Sequence, residues 1–334
     1  MLAWLTRLLP YRELADIGIM GMNRRNISYI SRYNSRHLYP LVDDKLRTKR
    51  LAIENGVATP ALLGVIDKQH DVMRVRDFIS GLDGFCIKPA KGSSGKGILV
   101  VKRDEDGLLY RSNGQKLALG DVERHVSNIL AGLFSLGGAP DVAMIEALIE
   151  VDDALRNYTF EGVPDVRIIV FRGFPVMSMM RLSCGASKGK ANLHQGAVGV
   201  GIDIVTGHAV RAVQRDKPVQ VHPDTGQDLL SLNVPRWDVL LELSCACADM
   251  TGLGYLGVDL VLDRKQGPML LELNARPGLT IQMANGAGLL PRLRQIEKLP
   301  QVSHLGIADR IRFARRHFPS TLVNDYEGAL QRSA

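Results

Sequence analysis

Residues Gly257–Pro277 read GVDLVLDRKQGPMLLELNARP, and this stretch decides how the rest of the chain is read. Val258, Leu260 and Leu262 alternate with Asp259, Val261 and Asp263. The run Arg264-Lys265-Gln266-Gly267-Pro268 has turn chemistry, and Met269–Leu273 resumes an apolar run. Two strands paired through that turn bring Asp259, Glu272 and Asn274 together. Two carboxylates and an amide oxygen, with no His or Cys among them, are hard donors suited to Mg²⁺, which takes the rest of its shell from water and phosphate. The plainer alternative is that Asp259 and Glu272 are exposed acids on strands, which are common.

The composition suits an ordered α/β or α+β protein of two or three lobes: 334 residues, 46% hydrophobic, 33 glycines and 15 prolines, with no internal repeat. A formal net charge of +7 fits an anionic partner without choosing among nucleotide, nucleic acid and membrane. Aromatic residues make up only 5% and are not interleaved with basic runs, so no nucleic-acid partner is expected. The four cysteines lack metal spacing and sit in apolar contexts. They point to free thiols in a reducing compartment, and hence to a cytoplasmic location.

Residues 1–10, MLAWLTRLLP, form an amphipathic start ending at Pro10. Docking on the protein itself or on a second subunit is the simpler reading, a membrane surface the alternative. From Asp43, DDKLRTKRLAIENGVATP reads as a capped helix ending at Asn55-Gly56, with Lys45 in its first turn. A solvated basic face is the competing account. Two strands, Gly84–Lys88 and Gly97–Val101, flank Pro89-Ala90-Lys91-Gly92-Ser93-Ser94-Gly95-Lys96. Glycine-rich backbone of this kind can wrap phosphate oxygens, and Lys88 would point at them; a mobile hairpin is the alternative. Ala143–Ile149 reads as a buried strand entering the larger lobe. Asp165–Val170 and Val176–Arg181 form a hairpin, and Ser187–Gly201 is a glycine-rich stretch with Lys190, Asn192 and His194. Arg236–Thr251 is a helix beneath the sheet, and the arginines of the C-terminal helices, Arg292 and Arg310 among them, are expected to form a solvated face.

Taken in this order, from about Asp43 to Asn285, the motifs resemble the ATP-grasp superfamily, and within it the RimK-type alpha-L-glutamate ligases. GVD…LELNARPG is the specific element. The DK…GVATP helix, the IKP loop with GKG and the KANLHQGA segment add to it. The resemblance implies an α+β fold in which two lobes sandwich ATP, here divided as a shortened N-terminal segment (1–59), a small lobe (60–144) and a large lobe (145–334). It implies that Lys45 and Lys88 contact phosphates and that Gly92, Ser93, Ser94, Gly95 and Gly97 cover them. Glu146, Ala147, Leu148 and Ile149 would hold the adenine, and Asp165 would help bind the nucleotide. Asp259, Glu272 and Asn274 would hold magnesium, with manganese as a substitute. Arg181, Arg276, Lys190 and Asn192 would face the reacting groups.

The implied reaction is ATP-dependent carboxylate–amine ligation through an acyl phosphate, releasing ADP and phosphate, with glutamate or another amino acid as a candidate amine. The alternatives are a phosphotransferase and a nucleotide-binding regulatory subunit without turnover. The partners would be a small-molecule or peptide carboxylate and an amine, and a homo-oligomer is compatible with the pattern. The chain departs from the resembled pattern in having only 44 residues before Lys45 and in writing NLHQGA where the family writes NLHRGG.

Overall fold

Backbone pairing in the chain builds two antiparallel sheets, seen here in a computed structural model that describes residues 14–92, 95–300 and 304–320. The first sheet has six strands in the order β1-β6-β2-β3-β4-β5: β1 (Leu62–Ile66), β2 (Gly84–Pro89), β3 (Leu99–Arg103), β4 (Leu109–Arg111), β5 (Lys116–Leu117) and β6 (Ala143–Ala147). The second has seven, in the order β11-β10-β9-β8-β7-β12-β13: β7 (Asp165–Phe171), β8 (Phe174–Leu182), β9 (Val198–Ile202), β10 (Ala209–Gln214), β11 (Lys217–Pro218), β12 (Tyr255–Asp263) and β13 (Gly267–Asn274). The fold class is therefore α+β, as expected. Residues 1–10 lie outside the described residues.

The boundary placed at 144/145 needs correction. β6 runs across it and pairs with β1 on one side and β2 on the other, so it completes the smaller sheet and does not enter the larger one. An apolar run names a strand but not its sheet, because the partners of β6 lie more than fifty residues away in sequence.

The helix α1 (Lys45–Glu54) begins where the sequence signals it. The Asp44 carboxylate accepts from the N–H groups of Leu46 and Arg47 at 3.0 and 3.1 Å. Gly56, at φ +69°, lets the chain turn out of the helix. A second helix, α2 (Leu119–Leu130), covers the small sheet and buries Val122, Val126 and Ile129 against Phe85, Ile87 and Ile145. The third, α3 (Trp237–Thr251), packs on β7 and β12, burying Leu240, Leu241 and Cys245 against the sheet. The fully buried aliphatic side chains of this larger core each contribute about 1.5–3 kcal/mol.

Of the arginines expected on a solvated face, two turn inward. Arg292 donates to the Val176 carbonyl at 2.7 Å, and Arg310 is buried against Asp249. No helix among the described residues is long and apolar enough to cross a membrane.

Candidate functional site

The turn between β12 and β13 is fixed by Asp263, whose Oδ1 accepts from the N–H groups of Lys265 and Gln266, both at 2.8 Å. From that turn the strands pair Leu260 with Leu270, and then the register shifts so that Asp259 pairs with Glu272 and Gly257 with Asn274. Leu271 is thus the extra residue of a bulge. Because side chains alternate between faces, the unshifted register would set Asp259 opposite Leu271 and send Glu272 and Asn274 to the other face. The bulge is what assembles the expected trio.

The same registers extend the row. Arg167 on β7 is opposite Asp259, and Asp165, two residues earlier and so on the same face, is opposite Arg181 on β8. Arg167 grips Asp259 with two hydrogen bonds, Nε to Oδ1 at 2.7 Å and Nη2 to Oδ2 at 2.6 Å. Arg181 bridges the two aspartates, at 2.6 Å to Asp165 Oδ1 and 2.7 Å to Asp259 Oδ2. Asn274 Nδ2 donates to Asp259 Oδ2 at 3.1 Å. Burial by itself would raise the Asp259 carboxyl, but the guanidiniums of Arg167 and Arg181 outweigh it and hold the group at about 2. For Asp165 burial prevails over Arg181, and the nearby Asp259 charge adds to it, so that carboxyl is pushed up to about 6.

These donors fit a magnesium ion in part. Glu272 is 37% exposed on its side chain and turns one oxygen to Lys45, and Asn274 keeps its side-chain carbonyl after donating its N–H. Asp259 is fully buried, and both its oxygens are taken by guanidiniums. Among the described residues no group of three or more His, Cys, Asp or Glu side chains is placed to hold a metal. Asp259 would reach a metal only if an arginine released it.

Across a narrow cleft stands the small sheet. β2 and β6 place Lys88, Cys86, Met144 and Glu146 on one face, and α1 lies over it. Glu146 is buried between two ammoniums, Lys49 Nζ at 2.7 Å and Lys88 Nζ at 2.6 Å. Burial opposes the charge on Glu146, yet the two lysines together lower its carboxyl. The Lys88 ammonium is likewise raised because Glu146 outweighs its burial, whereas burial dominates at Lys49 and lowers it. Lys49 also donates to Thr59 Oγ1 and the Pro60 carbonyl. The Glu146 side chain thus clamps two lysines, and its backbone pairs with β1 and β2. Ala147 donates its N–H to Ala61, while Leu148 and Ile149 follow the strand as the connector toward the large lobe.

Lys45 ties the two sides together. Its Nζ lies 3.1 Å from Glu272 Oε1 on β13 and donates to the Gly92 carbonyl at 2.6 Å in the glycine-rich hairpin. That hairpin is anchored by Asp141, which accepts from the N–H groups of Lys91 and Val142 and from Ser135 Oγ. Gly95 and Gly97 have φ of +69° and +75°, and a Cβ on Gly97 would stand 2.5 Å from Phe134. Ser93 and Ser94 lie outside the described residues. Lys190 reaches the hairpin from the large lobe, since a Cβ on Gly95 would be 3.9 Å from its Cδ. The space left between these charged side chains is about 20 Å³, room for about one water.

Two expected residues stand apart from this convergence. Arg276 is exposed at the rim, 3.2 Å from Asp43 and over the Tyr39 ring at 4.9 Å. Asn192 uses its carbonyl oxygen to accept from the His194 N–H, shaping its own loop, and His194 is exposed. Two members of the site escaped the sequence reading. Lys49 is four residues after Lys45 and so on the same helix face, and Arg167 is two after Asp165 and so on the same strand face. Both spacings could have found them.

The profile of the sugar-transfer associated ATP-grasp family matches residues 24–298. Several solved structures are similar. The ATP-grasp ligase PsnB, complexed with precursor peptide and AMPPNP, is 14% identical with a TM-score of 0.41, covering 79% of this chain and 59% of its own. A RimK domain ATP-grasp protein from Sphaerobacter thermophilus is 13% identical with a TM-score of 0.40, covering 79% and 70%. The D-alanine–D-alanine ligase of Bacillus anthracis is 14% identical with a TM-score of 0.40, covering 84% and 69%. The chain spans about three-fifths of the length of the PsnB chain. No curated protein matches the sequence.

Proposed function

The chain belongs to the sugar-transfer associated ATP-grasp family, and from that premise we propose that it is an ATP-dependent ligase that activates a carboxylate as an acyl phosphate and passes the acyl group to an amine. The observation that carries this is the convergence on Lys45, one ammonium shared by Glu272 and the glycine-rich hairpin. A glycine-rich backbone, a lysine and a hard-oxygen carboxylate meet at one point, which supports phosphoryl transfer between anions.

In this reading ATP lies between the sheets. Lys45, Lys88 and Lys49 neutralise its phosphates, the backbone at Gly92, Gly95 and Gly97 covers them, and the connector at Leu148 and Ile149 offers its backbone to the adenine edge. Glu272 and Asn274 would hold a magnesium ion, with Asp259 anchored behind them by Arg167 and Arg181. The ion would supply positive charge to the terminal phosphate oxygens. Lys190, beside the hairpin, would close over the transferred group and help exclude water. The carboxylate attacks the γ-phosphorus, ADP leaves, and the amine then displaces phosphate from the acyl carbon.

The test is product analysis with MgATP and a panel of carboxylates. Hydroxylamine should trap the acyl phosphate as a hydroxamate, with ADP formed in equal amount. AMP and pyrophosphate would sink the reading, and ADP with a phosphorylated acceptor but no hydroxamate would replace the ligase by a phosphotransferase.

A further inference from the structure

A second concavity opens on the same face of the seven-stranded sheet. Its apolar wall is Leu193, Val213 and Met283, and its polar groups are Thr280, His194, Arg215 and Asp216. The strand registers fix where it sits. Val213 on β10 is opposite Gly199 on β9, Gly199 is opposite Arg181 on β8, and Arg181 is opposite Asp165. Val213 is therefore two strands from Arg181 in one row, about 10 Å at the usual strand spacing. Leu193 packs over Gly199 in that row, where a Cβ would meet it at 2.6 Å.

The chain connects the concavity to the cleft twice more. His194 is four residues from Lys190, whose Cδ would lie 3.9 Å from a Cβ on Gly95 of the hairpin, so the two are separated by at most about 14 Å. Thr280 follows Asn274 by six residues.

Arg215 occupies a costly position. It and Asp216 form the two-residue turn between β10 and β11, with φ of +48° and +64°. Hairpin turns of this shape favour Asn-Gly or Asp-Gly, because a side chain is strained at positive φ. Here an arginine and an aspartate are held there instead, with the Arg215 Nε 3.6 Å from where a Cβ on Gly196 would stand, over the loop that carries Lys190 and His194.

We propose that this concavity is the acceptor pocket, and that Arg215 binds an oxyanion, carboxylate or phosphate, at the far end of the carboxylate substrate, whose short apolar stem lies on Leu193, Val213 and Met283. This rests on the ligase reading. The reacting carboxylate sits beside the phosphates, and the second anionic group is held farther along the sheet row, toward Val213 about 10 Å from Arg181. Asp216 lines the concavity beside Arg215 and puts the opposite charge there, which selects a single oxyanion over a polyanion such as a nucleotide tail.

The test compares glutarate, phosphonoacetate and pentanoate. Each is titrated calorimetrically into the protein with MgADP, and each is offered with MgATP and hydroxylamine. Glutarate or phosphonoacetate should bind at least tenfold more tightly than pentanoate. Arg215→Gln should abolish that preference, Arg215→Lys should restore part of it, and ATP affinity should stay unchanged in both. Whichever dianion binds more tightly identifies the oxyanion. Equal affinity of the wild type and Arg215→Gln for both dianions, or no binding of either dianion to the wild type, overturns the proposal. Arg215-dependent binding without hydroxamate keeps the pocket and removes the ligase reading.

Discussion

The two walls of the cleft solve the burial of charge in opposite ways. On the small-lobe side one carboxylate, Glu146, sits between two ammoniums, and Lys45 adds a third positive charge. On the large-lobe side Asp165 and Asp259 are balanced by Arg167 and Arg181, and Glu272 adds a negative charge toward solvent. One wall has an excess of positive charge and the other of negative. A nucleotide with a divalent ion matches that division, because its phosphates face the lysines and its metal faces the carboxylate. The walls also differ in rigidity. Planar guanidiniums fix Asp259 bidentately, whereas lysine ammoniums are point charges on flexible stems that can be redirected from Glu146 to a phosphate.

Asp259→Ala should break the contrast most severely. It leaves Arg167 and part of Arg181 buried without a counter-charge, a loss of about 3–5 kcal/mol, read as a lowered denaturant midpoint together with lost turnover. An unchanged midpoint would show that the arginine row is not what holds this wall.

Glu272→Gln should do the reverse. Because Glu272 is partly exposed and, among the described residues, tied only to Lys45, Tm should stay close to wild type while turnover falls about 10²–10³-fold. Near-normal turnover in magnesium would remove Glu272 from the site.

On the other wall, Lys88→Met should weaken ATP binding and slow transfer together, since an ammonium touching phosphate acts in both ground and transition states. Calorimetry that finds the wild-type affinity would mean that the ammonium does not leave Glu146 for the nucleotide.

The pH response is smaller and separates the walls by sign. Glu146 is held below its ordinary value of 4.5 by the lysines. Its contribution to stability is therefore complete above 4.5 and is lost as pH falls below it through the lowered folded-state value. Glu146→Gln should flatten the acid limb of the Tm–pH curve. Asp165, pushed up to about 6, acts oppositely, so its contribution fades as pH rises through 6, and Asp165→Asn should lift stability at neutral pH relative to acid. Parallel pH profiles for the two variants would contradict the comparison.

The smallest expected effect is at the rim. Among the described residues Arg276→Ala breaks only an exposed pair with Asp43 and a contact with Tyr39, so Tm should not move measurably. A large change in ATP affinity would bring Arg276 into the nucleotide site.

Local chemistry in the chain was enough to determine several elements by itself. Asp44 and Gly56 bound α1 and so set Lys45 in a first turn. The turn residues after Asp263 and the alternation on either side give the β12–β13 hairpin, and the glycines of 92–97 give the loop between β2 and β3. Each of these depends on residues within a few positions of one another, where capping and turn preferences act. The order of those motifs also sufficed for the ATP-grasp resemblance.

Tertiary structure alone decided the rest, because it depends on pairing between distant strands. A one-residue bulge at Leu271 turns Glu272 and Asn274 onto the Asp259 face, and no local pattern encodes that parity. The partners of β6 assign it to the small sheet and bury Glu146 between lysines from two other elements. Arg167 and Arg181 become counter-ions of Asp259 only when three strands lie side by side, and burial then fixes which carboxyl stays charged.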